Sequence, residues 1–196
     1  AASRAVKIPD GVSDEAAAAM MLKGMTAQFL LRQTFVVKPG DTILYHAAAG
    51  GVGLIATQWA KHLGATVIGT VGSDDKAKIA KAHGCDHVIN YRTENVPERV
   101  KEITGGKKLP VVYDGVGKDT FMMSLDCLAP RGLLVSFGNA SGPVTGVDLG
   151  ILAAKGSLFV TRPTMFHYAA TDADFQAVAK DLFDVVATGK VKIEIG

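Results

Sequence analysis

The sequence has only two cysteines, Cys85 and Cys127, with no CxxC pair or Cys/His cluster around either. That scarcity signals neither a structural zinc site nor a disulfide framework, and it fits a reducing compartment. Long apolar runs are missing too, since none reaches the roughly 18 to 20 residues that a bilayer-crossing helix needs. The opening "AASRAVKIPDG" lacks the apolar centre of a signal peptide, so the chain reads as soluble and cytoplasmic, with no membrane partner. An excess of one charge is also absent: 21 lysines and arginines face 19 aspartates and glutamates. The densest basic spot is Lys107 and Lys108 beside two glycines, a solvated loop pair by this reading, and no nucleic-acid partner is expected.

What the chain does have is apolar material. Hydrophobic residues make up 48% of 196 positions, enough for a full core in one domain of ordinary size or slightly more. Short β-branched runs alternate with amphipathic segments, without internal repeats, as in a parallel sheet whose crossovers are helices. Strands are expected near residues 42–47 ("TILYHA"), 66–71 ("TVIGTV"), 87–90 ("HVIN"), 110–115 ("PVVYDG"), 133–138 ("LLVSFG") and 157–161 ("SLFVT"). The clearest helix covers residues 52–63 and stops at Gly64, a good C-terminal cap. Others follow Ser73, Val96 and Gly117, and a long one begins near Thr171, where "TDADF" offers an N-cap and early acids. The expected fold class is α/β: a Rossmann, doubly wound, parallel six-stranded sheet with helices on both faces. Residues 13–35 read as helical before the first strand, and "KVKIEIG" at 190–196 alternates like a strand and then stops.

Between the first strand and its helix lie Gly50, Gly51 and Gly53. Glycines there free the backbone to turn sharply and let a ligand come closer than a Cβ would permit, while the helix aims its free N–H groups at that space. Residues 51–56 fit GxGxxA. The motif alone is weak, because glycine turns between strand and helix are common. A structural turn and an S-adenosylmethionine methyltransferase are the competing readings. The second is weakened by the continued strand-helix alternation and by the lack of an acid at the end of the second strand.

That missing acid also bears on which dinucleotide is bound. An NAD site places Asp or Glu about 20 residues past the glycines, on the ribose 2′-hydroxyl. Here the second strand ends in Val71-Gly72-Ser73, which leaves room for the 2′-phosphate of NADPH. Lys76, in the first turn of the next helix, is the candidate partner for that phosphate. Asp74 and Asp75 oppose a dianion unless they point to solvent, where they stabilise the helix start.

The chain resembles the cofactor-binding domain of the zinc-free NADPH:quinone oxidoreductases, the zeta-crystallin-like branch of the medium-chain dehydrogenases/reductases. The resemblance rests on "LKGMTAQFLLRQTF", "VKPGDTILYHAAAGGVGLIATQWAKHLGA", "VINYR", "VVYDGVG", "SLDCLAPRGLLVSFGNASG" and "KGSLFVTRP", in order and spacing. It implies NADPH as cofactor and a small-molecule quinone or enone as substrate. Carried over residue by residue, Gly50, Gly51, Val52 and Gly53 would hold the pyrophosphate, and Ser73, Lys76 and Tyr91 would surround the 2′-phosphate. Thr26 would approach the nicotinamide from the helix before the sheet, and Phe137, Gly138 and Asn139 would lie against it. On blander readings Tyr91 covers the core, Thr26 is an ordinary helical residue and "GNASG" is a turn-rich loop. Asp114 and Gly115 either line the adenine side or cap a loop.

The resemblance also implies a division into an inter-domain helical segment (1–35), an NADPH-binding domain (36–189) and the start of a strand returning to an absent catalytic domain (190–196). The chemistry belongs to the cofactor, whose hydride goes to an electron-poor acceptor held in register. One wall of that acceptor cleft lies outside this chain, so no catalytic residue is named and the chain alone is expected to be nearly inactive. No metal site is expected from His46, His62, His83, His87 (a strand start) or His167 (a loop). None of Tyr45, Tyr91, Tyr113 and Tyr168 begins a YxxxK pair. A dinucleotide-binding module with a structural or regulatory task and no turnover is the alternative function. The family further implies a homodimer, with the edge at residues 157–161 as its seam.

Overall fold

A computed structural model describes residues 4–195 of the chain. Its centre is a sheet of six strands: β1 (Thr42–Tyr45), β2 (Thr66–Val71), β3 (His87–Asn90), β4 (Leu109–Asp114), β5 (Leu128–Ser136) and β6 (Phe159–Thr161). Every pairing is parallel. The spatial order β3-β2-β1-β4-β5-β6 makes the chain wind outward on both sides of β1. The β1/β4 boundary is therefore a switch point, where crossovers leave in opposite directions and a crevice opens at the strand C-termini. This is the doubly wound Rossmann sheet expected from the sequence.

The helices are α1 (Asp14–Phe29), α2 (Gly51–His62), α3 (Asp74–Ala82), α4 (Val96–Ile103), α5 (Phe121–Cys127), α6 (Gly150–Ala154), α7 (Met165–Tyr168) and α8 (Asp172–Ala187). Each long one starts where its sequence says it should. Ser13 caps α1, Ser73 caps α3 and Asn95 caps α4, each side chain accepting from a backbone N–H three residues on. Thr171 opens α8 with a capping box, exchanging hydrogen bonds with Asp174. Gly64, just past α2, has φ +87°, a conformation that costs an L side chain energy.

Strand residues alternate between two apolar layers, as a sheet buried on both faces requires. Ile43, Tyr45, Val67, Val111, Tyr113 and Val135 face one core, which includes residues of α1, α2 and α8. Leu44, Ile68, Ile89, Val112 and Leu134 face the other, with residues of α4 and α5. α1 continues into a π-helical turn, Leu30–Thr34, whose Leu30 carbonyl accepts from Phe35 N–H (3.3 Å) and from the Tyr113 hydroxyl (3.3 Å). Nothing in the spacing of residues 13–35 distinguishes that wider turn from ordinary helix.

Several boundaries differ from the sequence expectation, each for a backbone reason. β1 ends at Tyr45 because Ala47 takes φ +53°. β5 starts at Leu128, pairs with Leu109, and then bulges before Leu133 meets Val111, with Arg131 at φ +62° in the bulge. Ser157 at φ +54° delays β6 to Phe159. The short helices α6 and α7 carry no periodic signal, and α7 puts His167 in a helical turn rather than a loop. Within the tail, residues 190–195 pair with no strand among the described residues. Instead the Gln58 side-chain amide donates to Lys192 O (3.0 Å) and accepts from Lys192 N–H (2.9 Å), and Val191 is buried. Gly196 and residues 1–3 lie outside the described residues.

Candidate functional site

The chain leaves β1 at the switch point and turns through residues 46–50 into α2. Gly50 N–H donates to Ala47 O (2.8 Å), and Gly50 is the N-cap with no side chain to close the helix start. The N–H groups of Gly51, Val52 and Gly53 meet no acceptor among the described residues. Three aligned donors at the positive end of a 12-residue helix make a place for an anion. A Cβ on Gly53 would lie 2.6 Å from both Ala47 O and Ala48 O and 2.8 Å from Ala48 C. The close seating of α2 on the turn therefore depends on that glycine. The atoms nearest a Cβ on Gly51 would be those of the Lys23 side chain from α1, at 2.9 Å from Cδ and Cε and 3.2 Å from Nζ.

Below the turn, one face of the sheet ends in polar residues. His46, Thr70, Asp114 and Ser136 each come two places after a core residue, Leu44, Ile68, Val112 and Leu134, and all four are buried. His46 Nδ1 lies 2.8 Å from Thr70 Oγ1, and His46 Nε2 lies 3.0 Å from Ser124 Oγ. Ser124 Oγ–H donates to Asp114 Oδ2 (2.9 Å), so it can only accept from the imidazole. The ring is thus assigned as the Nε2–H tautomer, with Thr70 donating to Nδ1. Burial holds the His46 pKa below its ordinary 6.5, against an opposing pull from Asp114. Asp114 also accepts from Thr120 Oγ1 (2.8 Å), Val116 N–H (2.8 Å) and Gly117 N–H (3.0 Å). Asp114 thus caps the loop that follows β4, one of the two roles expected of it. On the other face the strands end in packed aromatics: Tyr45 stacks on Tyr113 at 5.6 Å and lies tilted against Phe137 at 5.8 Å, ring centre to ring centre.

At the ends of β2 and β3, Tyr91 N–H donates to Val71 O (3.1 Å), and the Tyr91 hydroxyl sits 2.5 Å from where a Gly72 Cβ would be. Ser73 and Lys76 lie beside it in the first turn of α3, where Ser73 Oγ accepts from Lys76 N–H (3.4 Å). The Lys76 ammonium is exposed and has no partner among the described residues. Both neighbouring acids are engaged elsewhere: Asp74 accepts from Asn90 Nδ2 (2.9 Å), and Asp75 pairs with Lys78 (3.1 Å) out in solvent. No carboxylate side chain ends β2.

Thr26 and Phe137 line one groove of about 520 Å³ together with Leu22, Phe29 and residues 162–166. The Thr26 hydroxyl donates to Leu22 O (2.8 Å), within its own helix. Asn139 lines a neighbouring hollow with Ser136 instead, and Arg162 borders both. Gly138 packs its backbone against Gly115, and Phe137 N–H donates to Asp114 O (2.8 Å). The residues named from the sequence therefore fall into three clusters along the C-terminal edge of the sheet. Sequence reasoning missed Lys23, His46 as a network member, and Arg162. The polar row had a readable signal, a polar residue two places past the last apolar one in four strands, whereas the approach of Lys23 to Gly51 had none.

No three His, Cys, Asp or Glu side chains gather in metal-binding fashion among the described residues. Cys85 and Cys127 are separately buried, and burial pushes both thiols up to about 12.

Residues 51–184 match the family described as zinc-binding dehydrogenases. The donor set that a zinc ion would require is not offered by the described residues. A quinone oxidoreductase of Pseudomonas aeruginosa is 62% identical over 195 residues, covering 100% of this chain and 60% of the relative. A 2-haloacrylate reductase of a Burkholderia species is 52% identical, over 96% of this chain and 57% of its own. Among solved structures, the Escherichia coli quinone oxidoreductase complexed with NADPH superposes with a TM-score of 0.97 at 55% identity, covering 100% of this chain and 60% of that one. The chain spans about 60% of the length of the quinone oxidoreductases of Pseudomonas aeruginosa, Salmonella typhimurium and Escherichia coli that it matches.

Proposed function

Because the chain belongs to the zinc-binding dehydrogenase family, we propose that it is the NADPH-binding domain of an enzyme that reduces quinones or related conjugated carbonyls. The observation that carries this reading is the glycine turn at the switch point, with three free N–H groups and no room for a Cβ at Gly53. Gly50, Gly51, Val52 and Gly53 hold the pyrophosphate. Ser73, Lys76 and Tyr91 surround the 2′-phosphate, a role supported by the unpaired ammonium of Lys76 and by the engagement of Asp74 and Asp75 elsewhere. Thr26 and Phe137 flank the nicotinamide in the groove they share, and Gly138 and Asn139 continue its wall.

When bound, the dihydronicotinamide supplies the hydride; the chain's part is to hold the dinucleotide along the sheet edge and exclude water from one side of it. Residues 1–35 serve as the inter-domain segment, 36–189 as the cofactor domain and 190–196 as the lead to a catalytic domain that forms the opposite wall. The relatives' names support the acceptor class. A homodimer fits the apolar edge at β6, where Phe159 is 60% exposed and Val160 39%. Two free buried thiols fit the cytoplasm.

The test is a titration of the full-length protein with NADPH and NADH, followed by quinone turnover. NADPH is expected to bind at least about tenfold more tightly, and Lys76→Ala to remove most of that preference. Equal losses for both cofactors would sink the assignment of Lys76. Tight NADPH binding without turnover of any quinone or enone would favour the structural module.

A further inference from the structure

The structure leaves one cation in an unfavourable place. Lys23 extends from α1 across Gly51, so that its Nζ lies 3.2 Å from the position a Cβ would take there. Its ammonium stands at the end of α2 where the dipole is positive and where Gly51, Val52 and Gly53 present unpaired N–H groups. A cation at a helix N-terminus is destabilising, and such ends favour acids instead. No carboxylate relieves it, since Lys23 makes no ion pair or hydrogen bond among the described residues. Like charge is therefore gathered around one point with no anion to answer it.

We propose that Lys23 is a cofactor-binding residue whose ammonium completes the pyrophosphate site at the start of α2. The inference rests on the dinucleotide reading above and adds a residue to it from a different element. Gly51 then has two tasks: it lets the diphosphate approach the helix, and it leaves the surface over which the lysine stem lies. Lys23 binds the part common to NADPH and NADH, whereas Lys76 binds the part that distinguishes them. The two lysines should thus have separable effects on the same ligand.

The experiment uses the full-length protein, its Lys23→Met and Lys23→Arg forms, and three ligands: NADPH, NADH and adenosine 2′-monophosphate, which lacks the diphosphate. Lys23→Met keeps the apolar stem and removes the charge. It should weaken NADPH and NADH alike, by roughly tenfold each for an exposed charge-assisted contact, and leave adenosine 2′-monophosphate unchanged. The melting temperature of the ligand-free protein should hold or rise slightly, because an unfavourable charge has gone. Lys23→Arg should keep most of the affinity. Undiminished dinucleotide binding in Lys23→Met overturns the proposal, as does an equal loss for adenosine 2′-monophosphate or a fall in melting temperature that accounts for weaker binding. Failure of the unaltered protein to bind either dinucleotide overturns the underlying reading and this one with it.

Discussion

Two glycines in the same turn, Gly51 and Gly53, should respond in opposite ways to the same substitution. Gly53→Ala puts a Cβ 2.6 Å from two carbonyl oxygens and 2.8 Å from a carbonyl carbon, all of them backbone. Ordinary contact needs more than 3 Å, so α2 must back away from β1 by several tenths of an ångström. Overpacking of this kind costs about 1–3 kcal/mol, and rigid backbone neighbours place it in the upper half. The gain in helix propensity returns at most about 1 kcal/mol. The net loss is about 1–2 kcal/mol, or roughly 2–8 °C of melting temperature for a chain of this size. Gly51→Ala has the flexible stem of Lys23 as its nearest neighbour, and that stem can swing aside, so its stability should stay within about 0.5 kcal/mol of the unaltered protein. Both variants should still bind NADPH at least about tenfold more weakly, one because the cradle has moved and the other because its floor has risen. Thermal melts with and without NADPH separate the two. The reasoning fails if Gly53→Ala melts as high as the unaltered protein, or if Gly51→Ala loses as much stability as Gly53→Ala.

Tyr45 is buried with a hydroxyl that has no partner among the described residues, so Tyr45→Phe should raise the unfolding free energy by about 1 kcal/mol, and a lowered urea midpoint would contradict this. Thr120→Val keeps the side-chain shape but takes away a donor to the buried Asp114 carboxylate; denaturant unfolding should record a loss of about 1.5–3 kcal/mol. His46 is held neutral by burial, with its folded pKa below 6.5. The unfolded chain therefore takes up a proton near that pH which the folded chain refuses, so stability is complete above about 6.5 and declines as pH falls toward the folded pKa. Urea midpoints between about pH 7.5 and 5.5 should show this decline, and His46→Gln should flatten it; an unchanged slope in the variant would rule His46 out as its source.

The order and type of the main elements could be read from the sequence because their signals are local. Ser73 and Thr171 name the starts of their helices, Gly64 names the end of α2, and β-branched runs between them leave little choice but strands. What escaped reading depends on contacts between distant segments. Arg131 and Ser157 take positive φ, which their residue types do not announce, and so β5 carries a bulge and β6 starts late where the backbone, not the composition, decides. Alternating residues 190–196 read as a strand, yet a strand exists only beside another, and here the Gln58 side chain bonds the Lys192 backbone instead. The glycine turn was legible because glycine is needed there. Lys23 was not, because nothing within α1 reports that its fourth carbon crosses a glycine 28 positions later.

Beneath the turn and above it, the polar groups follow opposite rules, and the contrast locates the site. Below, His46, Thr70, Ser124, Thr120 and Asp114 satisfy one another within hydrogen-bond distance, as buried polar groups must. That closed network ties β1, β2 and β4 to α5 at the level where the strands end, and so it sets the position of the backbone that carries the glycines. Above, the N–H groups of Gly51, Val52 and Gly53 and the ammoniums of Lys23 and Lys76 are all donors, and none has an acceptor among the described residues. A fold selected for stability alone would have placed an aspartate or glutamate among them, as it does at the starts of α1, α3 and α8. α2 has no acid in its first turn. The absence of an acid from the start of α2, over a base in which His46, Thr70, Ser124, Thr120 and Asp114 are paired with one another, is what an anionic ligand shared between the turn and the end of β2 would require.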